Sequence, residues 1–272
     1  MNDNQIKKSF IALRRMKPDG FVNNIASGCL GVYKNRLLLL TVFHGVGYQE
    51  ENEKWLMEVK WHQNKMRMES IDLSGGINYL SSFSINKDTK PEEFDRILES
   101  GKGGTYDIDF VWYKFPRNNI EPYYQEITDI SGYPSNVMKK KIHTIDFNIK
   151  PTTDKKYCFG GYTRKVNIDT LSDVKQFENC LSIERNLQFI REEYVENIGH
   201  LYIFKPLDGF KGDDFYHGCS GAPIMDEEGN VCSLVVGRNA NNEIRGINLN
   251  AYKIAIDASI GNIYGMENFS EV

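Results

Sequence analysis

Three short segments hold residues whose types suit acyl transfer. Gly218-Cys219-Ser220-Gly221-Ala222-Pro223 sets a serine between glycines on a tight turn. Such a turn exposes the hydroxyl and lets the serine's own N–H point the same way as its Oγ. A hydroxyl that attacks a carbonyl carbon needs nearby N–H groups for the oxygen that becomes negative. Glycine at position 218 allows the backbone to turn so that its N–H joins that of Ser220. In the second segment, Leu38-Leu39-Leu40-Thr41-Val42-Phe43-His44-Gly45-Val46, an apolar strand runs straight into a histidine. A general base belongs in such a place, at the end of a rigid strand and partly shielded. The third segment is Thr105-Tyr106-Asp107-Ile108-Asp109-Phe110-Val111-Trp112. A carboxylate at the mouth of a buried strand is costly unless it has a partner, and a histidine Nδ1–H is a suitable one. Asp107 and Asp109 are two apart and share a strand face, so spacing alone leaves both as candidates.

Each segment taken alone has a plainer reading: a loop between strands, a half-buried turn histidine, an aspartate bonding its own turn. Together they follow the order His, Asp, Ser, one of the chain orders in which this triad occurs.

The elements that must position these residues are mostly short strands. Cys29 to Tyr33, Arg36 to Val42, Leu56 to Trp61, Ile108 to Tyr113, Lys141 to Phe147, Lys156 to Tyr162, His200 to Phe204, Val231 to Val236 and Arg245 to Leu249 are rich in β-branched and aromatic residues. Gly, Asn, Asp and Pro separate them. Lys34-Asn35 and Asp226 to Asn230 read as turns between strands. Helical pattern is scarce. Asn250 to Ile260 places Tyr252, Ile256 and Ile260 on one face, with Gly261 set to stop it. Pro91 to Glu99 reads as a short helix, and 172 to 195 is ambiguous between helix and strands. Many short strands at regular spacing predict an all-β barrel or sandwich.

On these motifs the chain resembles the chymotrypsin-like serine protease family. Thr41-Val42-Phe43-His44 is similar to the family's T-A-x-H, with Val42 at the alanine. Ser27-Gly28-Cys29-Leu30-Gly31 is similar to the strand that precedes it. Asp107-Ile108-Asp109-Phe110 resembles D-[IL]-A-[LV], a register that makes Asp107 the triad acid. Gly218 to Pro223 resembles G-D-S-G-G-P, with Cys219 at the aspartate and Ala222 at the second glycine. The resemblance implies two six-stranded antiparallel Greek-key barrels and a C-terminal helix. Residues 1–125 would carry His44 and Asp107, and residues 126–272 would carry Ser220. Gly218 and Ser220 would supply the oxyanion hole. The implied activity is that of a trypsin-like endopeptidase working through an acyl-enzyme. Six residues before the serine stands Asp214, the place of the pocket floor in such enzymes. An aspartate there implies cleavage after arginine or lysine, with walls from Phe215 to His217 and from Val236, Gly237 and Arg238. Extracellular relatives are activated when a new N-terminus pairs with the aspartate before the serine. Cys219 offers no carboxylate, so control by that route is not expected, and a regulatory protein partner is the alternative. A catalytically silent binding scaffold, an esterase using the same triad and a Cys219 enzyme are the competing readings.

Composition narrows the partners. The chain has 272 residues, 40% hydrophobic and 26% charged, with 33 basic against 37 acidic residues and a net charge of −4. That is a globular composition with no general field for nucleic acid or anionic membrane. No apolar run is long enough to cross a bilayer, and no signal peptide is recognisable at Met1. The five cysteines, Cys29, Cys158, Cys180, Cys219 and Cys232, are widely spaced without a C-x-x-C pair. That pattern argues against a disulfide framework and a zinc site and fits a reducing cytoplasm. No cofactor or metal is expected, and the partner is a protein or peptide substrate.

Overall fold

The computed structural model describes residues 1–19, 22–46, 53–61, 65–70, 74–80, 105–114, 124–128, 134–168, 175–195 and 198–265. The short helix expected at Pro91 to Glu99 lies outside them.

The chain opens with helix α1 (Asp3–Ser9), capped by a reciprocal pair between Asn2 and Gln5. Strands β1 (Ile11–Met16), β2 (Val22–Tyr33) and β3 (Arg36–Thr41) follow. Lys34 and Asn35 both take positive φ, 44° and 59°, which closes β2 and β3 in the two-residue turn that their sequence suggests. The leucine run of β3 is buried on both faces. Leu38 and Leu40 join Phe110 and Trp112 in one cluster, while Leu37 and Leu39 join Leu13 and Val111 in another. Alternation along the strand divides the four leucines between the two layers.

Next come α2 (Phe43–Val46), β4 (Lys54–Trp61), β5 (Lys65–Ser70), β6 (Gly75–Leu80) and β7 (Thr105–Lys114). The hairpin of β8 (Tyr124–Thr128) and β9 (Pro134–Lys139) and the short β10 (His143–Thr144) lead to the second half. The expected boundary at 125/126 falls inside β8. The strand expected over Lys141 to Phe147 shrinks to β10, which pairs in parallel with β2.

The second half holds β11 (Lys156–Ile168), β12 (Lys175–Val195), β13 (Gly199–Pro206), α3 (Asp213–Tyr216), β14 (Pro223–Asp226), β15 (Val231–Arg238), β16 (Ile244–Ile247) and α4 (Lys253–Tyr264). The ambiguous stretch at 172 to 195 is largely the long strand β12, whose register slips between Phe189 and Arg191.

The all-β architecture, a closed barrel in the second half and a half-barrel sheet in the first, matches the double barrel expected. The six strands of the second half close as β11-β12-β13-β16-β15-β14. The first half is an eight-stranded sheet in the order β5-β4-β1-β2-β3-β7-β6, with β10 added beside β2. Among the described residues no ladder joins its ends, β5 and β6. Helix α4 begins after Tyr252 and ends at Gly265, so Gly261 lies buried inside it and does not stop it. Ser259 of α4 accepts from the Trp112 indole at 3.0 Å and donates to Gly76 O at 3.0 Å. The last helix thus packs on strands of the first sheet.

Candidate active site

His44 lies on α2, directly beyond the buried end of β3. Its Nδ1 is 2.5 Å from Asp109 Oδ2, its backbone N–H donates to Asp109 Oδ1 at 2.7 Å, and its Nε2 is 2.8 Å from Ser220 Oγ. One carboxylate therefore holds the histidine at two points and fixes both the main chain and the ring. With the Nδ1 proton directed at Asp109, the Nε2 lone pair faces the serine hydroxyl. The histidine side chain is 43% exposed and Asp109 16%. The ring is reachable from solvent while its carboxylate partner is mostly covered.

The acid on His44 is Asp109, a correction to the expected Asp107. The reason lies in the pairing of β6 with β7. Gly76 is opposite Val111, but Ile77 is opposite Ile108, so β7 carries extra residues at Asp109 and Phe110. Such a bulge re-aims a side chain, and face-counting along the strand fails there. The Asp107 side chain lies outside the described residues, and its backbone is opposite Asn78. A signal was present in the sequence. Asp109-Phe110-Val111-Trp112 puts a small apolar residue, Val111, two places after the acid, where the other register puts Asp109 itself.

The serine loop is shaped by two glycines in the left-handed region, Gly218 at φ 97° and Gly221 at φ 85°. His217 has φ −64° and ψ 115°, and the Cys219 N–H donates to Tyr216 O at 3.0 Å. Residues 216–219 therefore form a type II turn, which requires glycine at its third position. A side chain at Gly218 would also run into Tyr162 O. Among the described residues, neither the Gly218 nor the Ser220 N–H gives a hydrogen bond to another backbone group. Both remain free for an oxyanion.

Ser27 of β2 pins this loop to the first sheet. Its N–H donates to Ser220 O at 2.9 Å, and its hydroxyl donates to Gly218 O at 2.9 Å. Its own carbonyl accepts from the Thr41 hydroxyl at 2.7 Å. Thr41 is three residues before His44, so one chain of bonds ties the Ser220 loop to the His44 segment across the two halves. In the sequence Ser27 stands out only as part of a strand motif, because a bond between residues 27 and 220 leaves no trace in local pattern.

The expected specificity residues are placed differently. Asp214 is exposed on α3, so it is not a carboxylate at the floor of a narrow apolar pocket. The short helix turns it toward solvent. Asp213, not Asp214, pairs with Arg238, at 2.8 Å, and the Arg238 guanidinium lies over the Phe210 ring. Val236 packs partly against the core, and Gly237 has open space beside it.

Cys219 is fully buried, with its thiol 3.9 Å from Phe215 O, and burial pushes its pKa upward. It is poorly placed to act as a nucleophile. Cys29, Cys158, Cys219 and Cys232 are all free and buried. Among the described residues no group of His, Cys, Asp and Glu is arranged to hold a metal ion, and no helix is long and apolar enough to cross a membrane.

No model of a known protein family matches the chain, and no curated protein matches it in sequence. Among solved structures, several are similar to it in fold. The serine endoprotease from Yersinia pestis aligns with a TM-score of 0.47 at 9% identity, over 94% of this chain and 65% of that one. This chain thus spans about two thirds of the Yersinia protein's length. The Rv3671c protease from M. tuberculosis, in its active form, aligns with a TM-score of 0.45 at 13% identity, over 94% of this chain and 82% of that one. HBP aligns with a TM-score of 0.48 at 11% identity, over 96% and 95%.

Proposed function

We propose that the chain is a serine endopeptidase that hydrolyses peptide bonds through an acyl-enzyme. The observation that carries this reading is the continuous line from Asp109 through His44 to Ser220, with contacts of 2.5 and 2.8 Å. Ser220 Oγ attacks the scissile carbonyl while His44 Nε2 takes its proton. Asp109 holds the ring and stabilises the imidazolium that forms. The N–H groups of Gly218 and Ser220 bind the oxygen that becomes negative. His44 then protonates the leaving amine. A water, deprotonated by the same nitrogen, releases the acyl group and restores Ser220.

The substrate is a protein or peptide. Preference for arginine or lysine before the cut rests on the exposed carboxylate of Asp214 and is correspondingly weak. Four free, buried thiols support a reducing compartment such as the cytoplasm.

The test is covalent labelling with a fluorophosphonate alongside cleavage of a peptide library. Wild type takes up one label at Ser220 and cleaves, and both are lost in Ser220→Ala. A folded wild-type chain that takes no label and cleaves nothing would point to a silent scaffold. Labelling together with hydrolysis of esters but not of peptides would point to an esterase.

A further inference from the structure

Glu184, on β12, has a side chain with no solvent exposure, and no step of the proposed chemistry uses it. A carboxylate buried to that degree costs several kcal/mol unless donors surround it. Three do. The Lys211 ammonium donates to Oε1 at 3.1 Å, the Arg185 N–H to the same oxygen at 3.2 Å, and the Tyr216 hydroxyl to Oε2 at 2.8 Å. Lys211 and Tyr216 bracket α3, so one carboxylate grips both ends of that segment. The Tyr216 ring is further held by stacking on Phe210, 5.2 Å between centroids, and by tilted contact with Phe159 at 6.2 Å. Burial and the facing carboxylate together push the Tyr216 phenol pKa upward, which keeps it a donor.

The carbonyl of Tyr216 is the acceptor that closes the type II turn through Cys219 N–H, and Gly218 is the third residue of that turn. The anchor and the oxyanion donor are therefore two residues apart in one hydrogen-bonded unit. The alternative turn, type I, differs by a flip of the peptide between His217 and Gly218, and it would redirect the Gly218 N–H.

The geometry points to Glu184 as a positioning residue that, through Lys211 and Tyr216, holds the Gly218 turn with its N–H available to the oxyanion. This rests on the serine peptidase reading. Glu184 touches no reacting atom, and it acts by keeping a preorganised donor in place.

The test compares Glu184→Gln, Tyr216→Phe and the double variant, each checked for folding by thermal melting. Loss of one oxyanion donor costs about 100-fold to 1,000-fold, so loosening its anchor should lower kcat about 10-fold to 100-fold with KM nearly unchanged. Affinity for a peptide boronate, which forms a tetrahedral adduct on the serine, should fall in parallel. Tyr216→Phe should add little to the loss in Glu184→Gln, since the Tyr216 hydroxyl acts through its bond to Glu184. A folded Glu184→Gln with wild-type kcat and boronate affinity overturns the inference, as does a double variant whose losses multiply. If Glu184→Gln fails to fold, Tyr216→Phe carries the same decision. A readout independent of activity uses the Ser220→Ala background. There the amide signal of Gly218 in NMR should shift or broaden on adding Tyr216→Phe, and an unchanged signal overturns the inference. An inactive, unlabelled wild type would refute the peptidase reading while leaving that amide measurement to decide the role of Glu184.

Discussion

Replacing Asp109 by asparagine tests the assignment of the acid. Asp109 accepts two hydrogen bonds from one residue, the His44 N–H at 2.7 Å and the ring Nδ1 at 2.5 Å. Asparagine has a single acceptor oxygen. If that oxygen keeps the backbone N–H, the amide NH2 faces Nδ1 and drives the ring proton to Nε2. The nitrogen that should receive the serine proton then carries one itself. If the oxygen turns to the ring, two N–H donors face each other, at a cost of about 1–3 kcal/mol. The carboxylate charge is also lost. Stabilisation of an imidazolium about 4 Å away is worth about 4 kcal/mol at an effective dielectric of about 20. The opening of His44 to solvent makes that an upper figure. Together these effects come to about 5 kcal/mol, or about 5,000-fold in kcat, close to the loss of about 10,000-fold expected when a triad histidine is held in the wrong tautomer. The assay is kcat on a cleaved peptide and the rate of fluorophosphonate labelling, with melting temperature as a control for folding. Asp107→Asn should stay within about threefold of wild type, since Asp109 already holds both the His44 backbone N–H and the ring Nδ1. An Asp109→Asn variant within tenfold of wild type, or an Asp107→Asn variant as damaged as Asp109→Asn, refutes the reasoning.

Two further outcomes follow, one from burial and one from exposure. His143 is buried, and its Nε2 lies 2.9 Å from Ser9 O at the end of α1; desolvation lowers its pKa to about 4 against an ordinary 6.5. The unfolded chain therefore binds a proton that the folded chain refuses, and stability present above about pH 6.5 is lost as pH falls toward about 4. Each tenfold difference in proton affinity between the two states is worth ~1.4 kcal/mol, so the loss reaches ~3 kcal/mol; melting of wild type against His143→Gln between pH 7 and pH 4.5 checks it, with the variant losing less. Asp214→Ala, profiled on a peptide library, should change the ratio of basic to neutral residues before the cut by less than about tenfold, since an exposed carboxylate gains little from a cation; a collapse of a strong arginine preference would mean that Asp214 faces the substrate in a desolvated pocket.

The strands were legible because their apolar residues follow the geometry of a sheet. The run Leu37 to Leu40 reads as a strand buried on both faces, and it is one. The Lys34-Asn35 turn was legible because two residues between strands need positive φ and asparagine tolerates it. Residues 172 to 195 were not. Gln176, Glu178, Asn179, Glu184, Arg185, Asn186 and Gln188 interrupt any apolar alternation. Long-range ladders to β11 and β13 hold the strand extended despite this, and ladders between distant segments override local propensity.

At the site the same division applies to single residues. The places of Ser220 and His44, which meet at 2.8 Å, were legible because each sits on distinctive local backbone, a glycine turn in one case and a strand end in the other. Asp109 was missed because the bulge opposite Gly76 is set by a partner strand about thirty residues away, and a two-residue periodicity cannot register an inserted pair. Ser27 and Glu184 are a harder case. Each is an ordinary residue in an ordinary strand, and each matters only through what it meets across the fold: the carbonyls of Gly218 and Ser220 for one, Tyr216 and Lys211 for the other. Supports of this kind leave no spacing to read. Yet they hold the two features that local sequence does announce, the serine and its glycine turn, in register with a histidine that comes from the other sheet. The glycine pattern makes the turn possible, and the distant contacts select which way its peptide faces.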